Sequence, residues 1–221
     1  MPISETYNCD CLEYMRTLPD KRFDLAIADP PYGININESI GRRHGQKHSG
    51  RKEAYWDNAA PDKAFFVELC RVSKHQIIWG ANHFIEELPK QNASCWLLWD
   101  KLFSDKVGFS QFEMAWTSLP GMTKKFDKSP STNEYKFHPT QKPIALYCWI
   151  LKSYGGGYET IFDPMMGSQS SRIAAYKMGF DYYGCELDKE YYEKGCERFE
   201  KECHGVIKAP DGRTVQQLSL F

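Results

Sequence analysis

A short apolar run, Leu25-Ala26-Ile27-Ala28, stopped by Asp29 and the paired Pro30-Pro31, most restricts the fold of this chain. The run reads as a buried strand, and two adjacent prolines end its hydrogen-bond ladder. In open α/β sheets, ligands bind outside the carboxyl ends of the strands, so Asp29, Pro30, Pro31 and Tyr32 stand where function collects. Together they offer a carboxylate, a fixed carbonyl and an aromatic face. That set suits a planar heterocycle bearing an amino group: carboxylate and carbonyl accept its two N–H bonds while the tyrosine ring stacks on its π-face.

The rest of the chain fits a single domain built around such a sheet. Its 221 residues, 42% of them hydrophobic, are enough for one α/β core with decorations. Net charge is −1, so contact with a polyanion has to come from local patches rather than from the summed field. The eight cysteines are irregularly spaced, and neither Cys9-Asp10-Cys11 nor Cys196 to Cys203-His204 has the paired spacing of a zinc site. Buried thiols in a reduced, cytoplasmic protein are expected. No apolar run is long enough to span a bilayer.

Periodicity places the remaining elements. The segment Glu5 to Asp10 reads as a short strand ending in an acid, followed by a helix through Leu12, Met15 and Leu18. A helix carrying Phe65, Phe66, Leu69 and Val72 on one side precedes a strand, Gln76 to Trp79. Cys95 to Trp99 and Phe112 to Trp116 read as strands whose pairing is antiparallel, at one side of the sheet. After the polar stretch 124–142, Pro143 opens a helix over residues 144–151, since its missing N–H is one of the orphans of a first turn. Thr160 to Phe162 then runs into Asp163-Pro164-Met165-Met166-Gly167-Ser168, a helix ends at Gly179, and Tyr182 to Cys185 leads to Glu186. A last amphipathic helix is expected from Tyr191 to about Cys203.

The unit from Ile161 to Glu186 has the form of a nucleotide-binding crossover: a tight turn of small residues, a helix, and an acid about 20 residues beyond the turn, where ribose hydroxyls are commonly bound. It lacks both GxGxxG and a P-loop lysine. A single glycine favours a nucleoside cofactor without phosphate, although the same turn also serves an ordinary strand-to-helix connection with a serine cap.

Both half-sites occur in one chain, and with them the sequence resembles an amino-group DNA methyltransferase of the permuted kind, in which the DPPY segment precedes the cofactor segment. The matching pieces, in the family's order, are Asp10 within 8–12, Asp29 to Tyr32, Trp79 to Asn82, Trp99 to Lys101, His138 to Pro143, Phe162 to Gly167, and Gly184 to Glu186. The resemblance implies a Rossmann-like, seven-stranded, mainly parallel α/β sheet with an antiparallel strand and helices on both faces. It further implies S-adenosylmethionine as methyl donor and an exocyclic amine of a base flipped out of double-stranded DNA as acceptor. Asp29 and the Pro30 carbonyl would localise the amine lone pair and Tyr32 would hold the base. Asp163, Gly167 and Ser168 would line the cofactor cleft, Glu186 would take the ribose hydroxyls, and Asp10 would face the adenine edge, although an N-cap is an equal reading for Asp10. Lys142 and the helix start after Pro143 would receive the cofactor carboxylate. Relatives of this kind often dimerise.

One departure stands out: the family's turn has a second glycine two positions after the first, where this chain has Gln169. A silent DNA-binding relative is therefore a competing reading. Transfer to cytosine N4 is the nearest chemical rival to adenine N6, with aspartate at position 29 leaning toward adenine, and an RNA substrate is a further rival. No Pro-Cys pair exists for attack on cytosine C5. For DNA contact, residues 41–52 carry Arg42, Arg43, Lys47, Arg51 and Lys52 without an acid, and residues 121–136 carry Lys124 and Lys125. Insertions at about 33–60 and 121–137 are thus the expected DNA-reading parts of a single domain spanning 1–221, with or without a restriction partner.

Overall fold

The structure, a computed structural model, describes residues 1–34, 55–89, 95–104, 110–130, 136–208 and 213–216. Among these the elements run β1 (Ser4–Tyr7), α1 (Cys11–Arg16), β2 (Phe23–Ala28), α2 (Lys63–Val72), β3 (Ser73–Trp79), β4 (Trp96–Asp100), β5 (Phe112–Thr117) and β6 (Lys124–Asp127). They continue with α3 (Ile144–Tyr154), β7 (Thr160–Asp163), α4 (Ser170–Met178), β8 (Asp181–Cys185), α5 (Lys189–Phe199), β9 (Val206–Lys208) and β10 (Thr214–Gln216).

The apolar run that becomes β2 lies inside an eight-stranded sheet of order β1-β8-β7-β2-β3-β5-β4-β6, while β9 and β10 pair separately. Every neighbouring pair is parallel except the two made by β5, which runs against both β3 and β4. The expected antiparallel pairing at one side of the sheet is therefore present. The sheet has one strand more than the seven expected: Lys124-Lys125-Phe126-Asp127 pairs with β4 as an edge strand. Three of its four residues are charged and exposed, and only Phe126 packs inward, so no apolar alternation marks this edge strand.

Period-2 geometry divides β2 between two cores. Leu25 and Ile27 pack with Leu146, Tyr147, Ile150, Ala174 and Ala175 of α3 and α4. Ala26 and Ala28 face the opposite layer, where Met15 of α1 and Phe65, Phe66 and Leu69 of α2 are buried. Helices thus cover both faces. Each such large apolar side chain contributes about 2 kcal/mol on burial, which explains why a run without polar residues is required between the two layers.

The helix ends follow local chemistry. Asp62 caps α2 by accepting from Phe65 N at 3.2 Å, and Asp188 caps α5 by accepting from Glu190 N and Tyr191 N. Pro143 is the N-cap of α3, and Gly179 closes α4 with φ of +84°. The last helix ends earlier than its amphipathic pattern suggests, at Phe199, and continues as a π-helical turn, Glu200–His204. The turn before α4 is capped by Gln169 rather than by a serine: Gln169 has φ of +61° and makes no side-chain cap bond.

Candidate active site

Strands β1, β8, β7, β2 and β3 lie side by side and parallel. Their carboxyl ends accordingly deliver Asp10, Glu186, Asp163, Asp29 and Gly80 to one edge of the sheet. Because β5 runs the other way, it is its beginning, Glu113, that arrives there, opposite Trp99 of β4. Lys101 follows β4 directly.

At this edge a compact charge cluster forms. Lys142 Nζ lies 2.5 Å from Asp29 Oδ2 and 3.0 Å from Glu113 Oε2. Lys101 Nζ holds the other Glu113 oxygen at 3.1 Å. The Tyr32 hydroxyl donates to Asp29 Oδ1 at 2.9 Å. Two carboxylates and two ammonium groups balance, in a place where the Lys142 side chain is only 4% exposed. Burial raises the Asp29 carboxyl above its ordinary range, with the Lys142 ammonium pulling it back and Glu113 adding to the rise. Burial also opposes the charge of Glu113, but Lys142 and Lys101 together outweigh it and its pKa falls. Lys142 is likewise penalised by burial, yet the two carboxylates raise it.

The DPPY loop is fastened from behind. Asp57 Oδ1 accepts from the backbone of Tyr32 at 2.9 Å and of Gly33 at 3.2 Å. The Tyr32 ring stacks on His83, with centroids 5.1 Å apart and planes 13° off parallel. It lies so close to Gly80 that a Cβ there would collide with the ring.

A cavity of about 450 Å³ joins this cluster to the crossover turn. It is lined by Asp29, Pro31 and Lys142, by Met166, Gly167 and Ser168, and by Asp10, Glu186, Asp188, His138 and Tyr191, among others. Gly167 has φ of +46°, and its N–H donates to Glu186 Oε2 at 2.9 Å, while Asp188 N donates to Glu186 Oε1. Asp10 caps α1, accepting from Leu12 N and Glu13 N through Oδ1, and also lines the same cavity. His138, half-buried at the cavity wall, is held neutral: desolvation depresses its pKa to about 4.

Two expected cofactor residues sit differently. Asp163 does not line the cavity; its carboxylate turns inward to accept from Met165 N at 3.0 Å and from Ser171 Oγ at 2.5 Å, fixing the turn from below. Burial pushes this carboxyl up to about 7. Lys142, expected to meet a cofactor carboxylate, lines the cavity with its ammonium paired to Asp29 and Glu113. Gln169, at the position of the family's second glycine, adopts a left-handed backbone but is not among the cavity-lining residues. Its Nε2 donates to Tyr192 O at 3.1 Å and its Oε1 accepts from Arg172 Nη1 at 2.8 Å.

Of the expected DNA contacts, Arg42, Arg43, Lys47, Arg51 and Lys52 lie outside the described residues. Lys124 and Lys125 stand on the β6 edge; Lys124 Nζ lies 4.6 Å from the Tyr154 ring centroid, and Lys125 pairs with Asp127 at 2.9 Å and Asp100 at 3.4 Å. Glu113, Asp57 and His83 were not anticipated. A signal for Glu113 was present, a lone acid in the strand Phe112-Glu113-Met114-Ala115-Trp116, but its partners come from distant segments.

A mainly parallel sheet, crossover helices and a cavity along the strand ends define the Rossmann-like class of nucleotide-cofactor folds. Within it, the chain belongs to the N6/N4 DNA methylase family, whose model matches residues 72–197. The protein YubD of Escherichia coli (strain K12), described as a methylase, is 24% identical over 86% of this chain and 87% of its own length. The type II methyltransferase M.HinfI of Haemophilus influenzae is 23% identical over 96% of this chain and 70% of its own. The fold is shared with a DNA modification methylase of Thermus thermophilus, TTHA0409, solved in complex with S-adenosyl-L-methionine, at a TM-score of 0.59 and 13% identity over 92% of this chain and 96% of that one.

Proposed function

We propose that this protein transfers a methyl group from S-adenosylmethionine to the N6 amine of adenine in double-stranded DNA. The observation that carries the reading is the cavity lined both by Asp29 and Pro31 and by Gly167, Ser168 and Glu186, which joins an amine-accepting site to a nucleoside-type site. Its charged lining consists of Asp10, Asp29, Glu186 and Asp188 against one ammonium, Lys142. Such a lining repels phosphate and suits a cofactor bearing positive charge. Position 167 requires glycine through its φ of +46°, and a Cβ there would touch the His138 ring. The residues present therefore fit S-adenosylmethionine, as does family membership.

S-Adenosylmethionine, when bound, supplies the electrophilic methyl group. Glu186, oriented by the Gly167 and Asp188 N–H groups, keeps further lone pairs for the ribose hydroxyls. Asp163 holds the turn that presents Gly167 and Ser168. The adenine amine is a weak nucleophile because its lone pair is delocalised into the ring. Asp29 and the Pro30 carbonyl accept its two N–H groups and turn that lone pair toward the methyl group, while Tyr32 stacks against the base and excludes water. Arg42, Arg43, Lys47, Arg51 and Lys52, with Lys124 and Lys125, would meet phosphate. These segments would be DNA-reading insertions, at about 33–60 and 121–137, of a single domain spanning 1–221. A homodimer and a reduced, cytoplasmic setting, fitting eight free thiols, complete the proposal.

The test is transfer of labelled methyl to unmethylated duplex DNA, followed by nucleoside digestion and mass spectrometry. N6-methyladenine that vanishes with Asp29→Ala is expected. N4-methylcytosine would move the acceptor and keep the reaction. Label in RNA but not in DNA, or no product from folded protein that binds DNA, would refute the assignment.

A further inference from the structure

Glu113 takes no part in the chemistry above, yet the fold goes to some length to bring it there. It sits on the one strand of the main sheet that runs backward, and only that reversal places it at the carboxyl edge beside Asp29. Both of its oxygens are engaged by ammonium groups, Lys142 at 3.0 Å and Lys101 at 3.1 Å. Lys142 in turn bridges Glu113 and Asp29. The Tyr32 hydroxyl spans the same gap, 2.9 Å from Asp29 and 3.5 Å from Glu113.

We propose that Glu113 is a positioning residue: backed by Lys101, it shares the Lys142 ammonium with Asp29, so that the Asp29 oxygens keep acceptor capacity for the target amine. This role rests on the reading of Asp29 as the amine acceptor. Lys142 supplies the charge that favours the ionised form of Asp29 against the burial that raises its pKa. Glu113 keeps that ammonium from settling on Asp29 alone, where it would compete with the incoming N–H groups for the same oxygens.

The charged and titratable groups around Asp29 come from four directions: Tyr32 from its own loop, Glu113 from β5, Lys142 just before α3 and Tyr147 within it, and Asp163 from β7. Lys101 acts through Glu113, and His138 faces Lys142. Within this set, removal of Lys142 and removal of the Glu113 charge push Asp29 in opposite directions. Without Lys142, two carboxylates face each other in a buried place and Asp29 keeps its proton to higher pH. Without the Glu113 charge, a like charge beside Asp29 is gone and Lys142 turns wholly to it, so Asp29 loses its proton at lower pH.

The experiment is a titration of the full chain carrying carboxyl-¹³C aspartate, with the Asp29 resonance identified through Asp29→Asn, in the wild type, Lys142→Met and Glu113→Gln. The acid limb of kcat/KM for methyl transfer to duplex DNA is read on the same proteins. Thermal unfolding verifies that each variant is folded, and Glu113→Gln alone decides the matter if Lys142→Met is not. The Asp29 midpoint should rise by about 1–3 pH units in Lys142→Met and fall in Glu113→Gln. The acid limb should follow it, and Glu113→Gln should lose about tenfold in plateau kcat/KM through a raised KM for DNA. A midpoint that stays put in Glu113→Gln overturns the proposal whether or not methyl is transferred. A Glu113→Gln enzyme with an unchanged KM overturns it as well. A wild type that transfers no methyl but shows the opposed shifts would sink the methyltransferase reading and leave the charge coupling standing.

Discussion

Replacing Gln169 with glycine restores the residue that the family's turn carries at this position, and the structure argues that the protein would lose by it. Three contributions compete. Glycine relieves a left-handed backbone, φ +61°, which costs a side-chain-bearing residue about 1–2 kcal/mol. It also adds freedom to the unfolded chain, an opposing cost of about 0.5–1 kcal/mol. The larger loss is the side chain itself, which is fully buried. Its Oε1 accepts from the Arg172 guanidinium at 2.8 Å, a charge-assisted bond of about 1.5–3 kcal/mol, and its Nε2 donates to Tyr192 O at 3.1 Å, about 1 kcal/mol more. Arg172 keeps Ser4 and the Phe199 ring as partners, which holds the first figure to its lower half. The balance is a destabilisation of about 1–3 kcal/mol, or a fall in Tm of roughly 2–12 °C for a chain of this length. Thermal unfolding by circular dichroism measures it, and calorimetry with S-adenosylmethionine should give an affinity within about twofold of the wild type, because the side chain does not line the cavity. An unchanged or higher Tm would show that backbone strain dominates at 169 and that its two side-chain bonds contribute little.

Three further outcomes can be checked. The Asp163 carboxyl, pushed up to about 7 by burial, keeps its proton in the folded chain where the unfolded chain has lost it; stability therefore declines as pH rises from about 4 to about 7 and is level above. Asp163→Asn should remove that decline, narrowing the gap between denaturation midpoints at about pH 5 and about pH 8; an unaltered gap contradicts the assignment. His138 has the opposite sign: neutral when folded down to about 4, it makes the fold lose stability as pH drops below about 6.5, and His138→Gln should blunt this acid sensitivity in the same denaturation series. Gly80→Ala should cut methyl transfer by about 100-fold or more by forcing the Tyr32 ring aside, whereas Gly156→Ala, whose Cβ meets nothing within 4 Å, should leave the rate near wild type.

The sequence announced this architecture where burial dictates composition. An unbroken apolar run cut by Asp29-Pro30-Pro31 has to be a buried strand, and Thr160 to Phe162 ending in Asp163-Pro164 repeats the device, so β2 and β7 were legible, with the acids at their ends. The turn through Gly167 to Glu186 was legible because ring closure and capping use few residue types. What escaped were features whose cause lies across the fold. The β6 strand is polar because, among the described residues, it lies at the rim of the sheet and only Phe126 packs against the core. Glu113 gains meaning only when Lys142 and Asp29 are brought to it, and Asp163, read as facing the cleft, turns inward because Ser171 and the Met165 N–H offer better partners than the open wall. Gln169 looked like damage to a glycine turn, yet Tyr192 and Arg172 receive its side chain.

The β6 edge bears on how this molecule keeps its own company. A terminal strand exposes a row of unpaired backbone donors and acceptors, an invitation to add further strands from another copy. Here that rim exposes Lys124, Lys125 and Asp127. Two rims approaching each other would press lysines together before any ladder could form, so growth of the sheet from molecule to molecule is discouraged at this side. Concentrated solutions should accordingly resist stacking through this rim, to which a bare, uncharged edge is prone.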